Sequence, residues 1–65
     1  MKYYEYDIYF KTVAEELEKW CINNQLKYKL INQNHMWYFK IRMTKLEMKN
    51  ANDFLNQFNQ LYVGR

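Results

Sequence analysis

The chain has no proline, no serine, one glycine, one histidine and one cysteine, and each scarcity closes off a kind of chemistry. A lone cysteine cannot build a disulfide framework, and one cysteine with one histidine falls short of a four-ligand zinc site. Phosphate-cradling loops depend on glycine, and the only one is Gly64, next to last in the sequence. Nucleophilic catalysis is left to Cys21 or a threonine, each of which needs an oriented base nearby. Long apolar runs are also missing. None exceeds the four residues of 36–39, and the first seven residues, Met-Lys-Tyr-Tyr-Glu-Tyr-Asp, carry charges where a secretory signal needs an apolar stretch. The expectation is a protein with no membrane segment and no cofactor that works in the cytoplasm, the host's cytoplasm if the gene is viral.

With 65 residues, against roughly 100 to 200 for an average domain, residues 1–65 are expected to form a single domain without a cleft between lobes. Apolar residues make up 49% of it, too many for a disordered tail, although a core this small supplies only about 3 to 5 kcal/mol of net stability. A partner or a second copy could steady such a unit. Lys, Asn, Tyr, Phe and Ile account for 31 of the 65 residues, whereas Gly, Ala, Pro and Arg contribute 5. The first group has A/T-rich codons, which points to an AT-rich bacterial or phage genome and to no particular activity.

Hydrophobic periodicity places the elements. Residues 3–10 alternate as a first strand, with Tyr4, Tyr6, Ile8 and Phe10 on one face and Tyr3, Glu5, Asp7 and Tyr9 on the other. Thr12-Val13-Ala14-Glu15 has the form of a capping box, and Val13, Leu17, Trp20 and Cys21 follow at helical spacing, which predicts a helix over 12–24. Glu15, Glu16 and Glu18 then sit toward the positive end of its dipole, and Asn23 and Asn24 suit a left-handed ending. Residues 26–30 alternate as a second strand, Leu26, Tyr28 and Leu30 inward and Lys27 and Lys29 outward. A polar turn at 32–34 leads to a third alternating run over 35–43, with Trp37, Phe39, Ile41 and Met43 on one side and Met36, Tyr38, Lys40 and Arg42 on the other. These two strands predict a hairpin with a loop of three to five residues. Ala51, Phe54, Leu55, Phe58, Leu61 and Tyr62 recur at three and four, so a second helix is expected to end near Gly64. Its start is open between a second capping box, Thr44-Lys45-Leu46-Glu47, and a cap at Asn50 or Asn52.

The order β-α-β-β-α predicts an α+β fold, a two-layer domain with a three-stranded mixed or antiparallel sheet and both helices on one face, because each helix has one apolar stripe to cover. The topology resembles a truncated ferredoxin-like sandwich, an architecture that implies no activity. The second face of the sheet is left open, and function is expected there.

The candidate catalytic groups are better explained structurally. Cys21 falls on the apolar stripe of the first helix, His35 falls at the hairpin, and nothing brings them together. Glu15, Glu16 and Glu18 would need a concave, dry pocket to act as an acid–base pair, and a two-layer domain of this size has little room for one. A non-enzymatic protein is therefore expected, with a small hydrolase surviving only if those glutamates prove to line a pocket.

The informative feature is where the charge lies. Residues 1–25 hold three Lys against five acidic residues, residues 26–49 hold five Lys and Arg42 against Glu47 alone, and residues 50–65 hold Asp53 and Arg65. The net charge of +3 is thus a property of the hairpin. Lys27, Lys29, Lys40 and Arg42 surround Tyr38 on its outward face, with Tyr3 and Tyr9 expected alongside from the first strand and Met36 and Ile31 adding apolar area. Tyr and Arg bury large area at small entropic cost, and apolar patches on small proteins mark contact surfaces. The function expected is stoichiometric binding to a macromolecular partner, a protein rather than a nucleic acid. Small size, missing catalytic groups and AT-rich coding are similar to what small phage-encoded inhibitors of host enzymes or defence systems show. The alternative is a single-stranded RNA or DNA binder using the same basic, aromatic face, although residues 35–43 lack the glycines of the RNA-recognition-motif signature. Glu5 and Asp7 share that face and could neutralise part of it. Homodimerisation through the face is the blander outcome, and an unpaired edge strand offers a further docking route by strand addition.

Overall fold

The computed structural model describes residues 1–58 and, as backbone, Tyr62–Gly64. Along the chain it contains β1 (Lys2–Ile8), α1 (Lys11–Asn23), β2 (Tyr28–Gln33), β3 (Met36–Met43), α2 (Lys45–Asn56) and β4 (Tyr62–Gly64). The strands form one antiparallel sheet in the order β2-β3-β1-β4. The expected α+β domain in β-α-β-β-α order is present, with its three strands arranged β2-β3-β1. The short β4 adds to the far side of β1 and completes the split β-α-β connectivity that the sequence suggested in truncated form.

Both helices cover the same face of the sheet. Tyr6, Ile8, Phe39, Ile41 and Met43 project from it into one buried cluster with Val13, Ala14, Leu17 and Cys21 of α1 and Ala51 and Leu55 of α2. The Tyr6 hydroxyl, carried into this core, donates to Asn52 Oδ1 at 2.7 Å, which removes the penalty of burying an unsatisfied polar group. Trp20 of α1 stacks on Phe54 of α2 with ring centroids 5.9 Å apart, and Phe54 meets Phe58 edge-on at 5.1 Å. These aromatic contacts tie the two helices together above the sheet.

Several element ends differ from the sequence expectation, among them β2, which spans Tyr28–Gln33 rather than 26–30. β1 stops at Ile8, and Phe10 is the N-cap of α1, with extended backbone and no capping side chain. Helical bonding begins with Ala14 N–H to the Phe10 carbonyl at 3.0 Å, so Thr12 already lies inside the first turn and its capping box does not form; no acidic residue falls in that turn. At the other end, Gln25 N–H donates to Ile22 and Leu26 N–H to Cys21. This is a Schellman closure whose left-handed residue is Gln25, φ 57°, rather than Asn23 or Asn24. Asn24 instead turns its amide back to the Trp20 carbonyl at 2.8 Å.

The hairpin is tighter than expected. Gln33 pairs directly with Met36, leaving a two-residue turn of Asn34 and His35 with φ values of 53° and 62°, the geometry whose twist matches that of the flanking strands. His35 is therefore a turn residue. β3 ends at Met43, and Thr44 opens α2 through a complete capping box with Glu47 (2.9 and 3.2 Å). Finally, α2 ends at Asn56, not near Gly64. Gln57 and Phe58 close it with bonds to carbonyls three residues back, and three-residue β4 is too short to show alternation. Of the apolar positions expected to continue the helix, Phe58 falls in its closing turn and packs against the core, Tyr62 belongs to the backbone of β4, and Leu61 lies outside the described residues.

The two look-alike boxes make opposite predictions. Thr44→Ala should cost about 1 kcal/mol in urea unfolding, whereas Thr12→Ala should stay within about 0.5 kcal/mol of the parent. Equal losses would contradict the assignment.

Candidate interaction surface

With both helices on one side, the other side of the sheet is built from the alternate residues of β1, β2 and β3, and the strand registers place them in rows. Arg42 lies opposite Tyr3 and is joined to the residue before β2 by a hydrogen bond from its N–H to the Lys27 carbonyl at 2.8 Å. The next row runs Lys29, Lys40, Glu5, and the third runs Ile31, Tyr38, Asp7, with the backbone of Val63 beyond. Gln33 and Met36 form the last row beside the turn. The surface is thus polarised, basic at the end where β3 finishes and apolar toward the hairpin.

Exposure follows the same plan. Lys27, Lys29 and Arg42 are exposed, Met36, Tyr38, Lys40 and Glu5 are half-buried among their neighbours, and Phe39, Ile41 and Met43 between them are fully buried. Tyr3 and Ile31 keep about half of their surface in water, 51% and 50%. Asp7 stands apart as a buried carboxyl, 9% exposed. Tyr9 lies beyond the end of β1, exposed, in the connection to α1. Of the eight residues singled out from the sequence, the sheet gathers Tyr3, Lys29, Met36, Tyr38, Lys40 and Arg42, with Lys27 adjoining and Tyr9 outside the ladder.

Electrostatically, the middle row is the unusual one. Lys29 and Lys40 sit directly opposite each other on neighbouring strands, an arrangement that costs stability. Glu5 flanks Lys40 on the other side, and the Lys40 ammonium also leans over the Tyr3 ring at 5.3 Å from its centroid, a contact worth about 0.5 to 1 kcal/mol at such a site. The ion pair of Glu16 with Lys19 at 3.9 Å lies elsewhere, on α1. Sequence periodicity alone could not reveal the Lys29–Lys40 opposition, because it depends on the length of the turn. A two-residue turn at Asn34-His35 fixes it, whereas the expected loop of three to five residues left it open.

The other candidate groups are placed in structural roles. Cys21 is fully buried, and desolvation, followed by the nearby Glu18 charge, pushes its thiol from the ordinary 9.0 up to about 12. A thiol held protonated in a core is a poor nucleophile. Glu18 accepts a hydrogen bond from the Tyr28 hydroxyl at 2.8 Å, which raises the Tyr28 pKa, with burial adding to it. Among the described residues no cluster of His, Cys, Asp and Glu is arranged to hold a metal, and no helix is long and apolar enough to cross a membrane. Two open hollows lie at the basic end of the sheet. One of about 460 Å³ is lined by Met1, Lys2, Tyr4, Met43, Thr44, Lys45 and Met48. The other, about 170 Å³, is lined by Met1, Gln25, Leu26, Lys27 and Arg42. Glu15, Glu16 and Glu18 line neither.

No protein-family model, curated protein or solved structure matches this chain, so its function rests on the geometry above.

The raised pKa values of Cys21 and Tyr28 fix the sign of the alkaline response. Unfolding releases both groups to ionise at lower pH, so stability is complete below about pH 9 and falls as the pH climbs from 9.0 toward 12. Cys21→Ala should flatten the onset of this decline in pH-dependent denaturation, and an unchanged profile would show that the thiol is not buried.

Proposed function

We propose that this protein acts without catalysis, by stoichiometric binding of a larger protein through the helix-free face of its sheet. The observation that carries the proposal is the Lys29–Lys40–Arg42 cluster. Three cations, two of them directly opposed, are held on adjacent strands at a cost in stability, and local rules are broken in this way where function needs it. Beside them Ile31, Tyr38 and Met36 supply apolar area. A partner with an apolar anchor flanked by carboxylates matches both halves, since burying Tyr38 and Ile31 adds contact area while the acidic flank relieves the lysine repulsion. Binding that occludes a working surface of the partner is the mode of the small phage-encoded inhibitors that this AT-rich coding and size resemble, and the proposal includes that role.

A second reading is favoured by one observation: Tyr3 on β1 and Tyr38 on β3 stand on the two central strands of an open sheet with cations next to them, the placement used to stack single-stranded bases. Glu5 opposite Lys40 weighs against it, because it sets a carboxylate beside the cations that a phosphate backbone would use.

What the parent binds separates the readings, and the double reversal Lys40→Glu with Arg42→Glu tests whether that binding uses this face. The protein-directed reading expects the parent to retain one host protein at fixed ratio in affinity purification, the double reversal to lose it, and Tyr38→Ala to weaken it at least tenfold with an unchanged circular dichroism spectrum. Oligonucleotide affinity that drops steeply between about 50 and 200 mM salt, and that the same reversal abolishes, would establish the nucleic-acid reading instead.

A further inference from the structure

The sheet has two edges, and they differ. One is formed by β4, three residues long; the other is the six-residue β2, whose outer side pairs with no described residue. The phase of the ladder shows which groups β2 offers there. The Arg42 N–H bonds the Lys27 carbonyl, so by antiparallel alternation Lys29, Ile31 and Gln33 turn their backbone groups toward β3 as well. The N–H and C=O groups of Tyr28, Leu30 and Asn32 therefore point out along the free edge. Proteins usually blunt such an edge with proline, bulges or clustered charge. β2, Tyr-Lys-Leu-Ile-Asn-Gln, has none of the first two and a single lysine.

Two of the most exposed isoleucines stand on either side of this edge. Ile31, half exposed, projects from β2 on the open face. Ile22, 58% exposed, lies one helical turn beyond Glu18 on α1, on the side where Glu18 meets Tyr28 of β2. An occupant of the edge would thus cover apolar surface above and below the strand it pairs with.

We infer that the occupant is a second copy of this chain, paired antiparallel β2 to β2 about a two-fold axis at Ile31. Charge and apolar area together favour this register. It sets the exposed Ile31 beside its own copy, Lys29 beside Gln33 and Leu30 beside Asn32, whereas centring the axis on Lys29 would oppose two lysines and centring it on Leu30 would set Lys29 against Ile31 and part the isoleucines. The edge groups of Leu30 and Asn32 then bond one another across the axis, and the two sheets become one continuous layer with both basic faces on the same side. The surface involved is a single strand and its flanking isoleucines, below the size of permanent dimers, so the assembly is a concentration-dependent equilibrium. It shares Ile31 and Lys29 with the face proposed for partner binding, but its test reads mass and cross-linking of the chain alone, so the two readings can fail separately.

The test combines mass with cross-linking on the full chain. Sedimentation equilibrium should show the mass rising from 8.3 kDa toward twice that value as concentration increases to about 1 mM, a range suited to small interfaces. Under mild oxidation Ile31→Cys should give a disulfide-linked dimer, because the axial pair is close, while Lys29→Cys should not, its copy lying about 13 Å away along the strand. The parent, whose Cys21 is buried, serves as the control. Asn32→Pro removes an N–H only from the free edge and should yield a folded monomer. A parent that remains at 8.3 kDa throughout, or Lys29→Cys that cross-links as readily as Ile31→Cys, overturns the inference. If Asn32→Pro does not fold, the cysteine pair decides alone.

Discussion

The alternation of β3 is the constraint on which everything else in this fold depends. β3 is hydrogen-bonded on both sides, to β1 and to β2, and Phe39, Ile41 and Met43 are fully buried while Lys40 and Arg42 point the other way. Slipping the strand by one residue would exchange these sets. Each of the three apolar side chains stabilises the fold by about 1.5 to 3 kcal/mol on burial, so such a slip would cost more than the roughly 3 to 5 kcal/mol a domain this small has in hand. The core therefore dictates the opposite face: once Phe39 and Ile41 are inside, Tyr38, Lys40 and Arg42 must be outside.

That coupling links packing to binding. The two helices satisfy their apolar stripes on one side, tied by the Trp20–Phe54 stack, and nothing in the described chain is left to cover the other. Because β1 lies antiparallel to β3, Glu5 falls across from Lys40 and Asp7 across from Tyr38, which tempers the basic row without removing it. Because the turn at Asn34-His35 has two residues, Lys29 is forced opposite Lys40. The charge pattern of the open face is thus a consequence of strand register, and the register is a consequence of the core.

Much of this was legible in the residues. Strict period-two alternation identified β1 and β3 and assigned their faces, and the spacing of Val13, Leu17 and Cys21 identified α1, because these signals follow directly from backbone geometry. The candidate face was legible for the same reason, down to Tyr3, Lys40 and Arg42. What escaped were features set by a few dihedrals or by long-range pairing. Thr12 and Thr44 offer the same capping pattern, and only the start of helical bonding at Phe10 shows that the first is inside its helix. Nothing local marks Gln25 as the left-handed residue in preference to Asn23 or Asn24. Nor could three residues at the end of the chain announce β4, whose pairing with β1 spans almost the whole sequence.

A small domain arranged in this way has a core that fixes its shape, a face that carries charge and tyrosines, and an edge ready to pair. The claim beneath all three is the sidedness of β3, and nuclear Overhauser contacts in solution test it most directly. The account predicts contacts from Phe39 and Ile41 to Leu17 and Leu55 of the helices, with the Tyr38 ring touching side chains of the outer rows such as Ile31. Contacts between the Tyr38 ring and either helix, with Phe39 free of them, would contradict it.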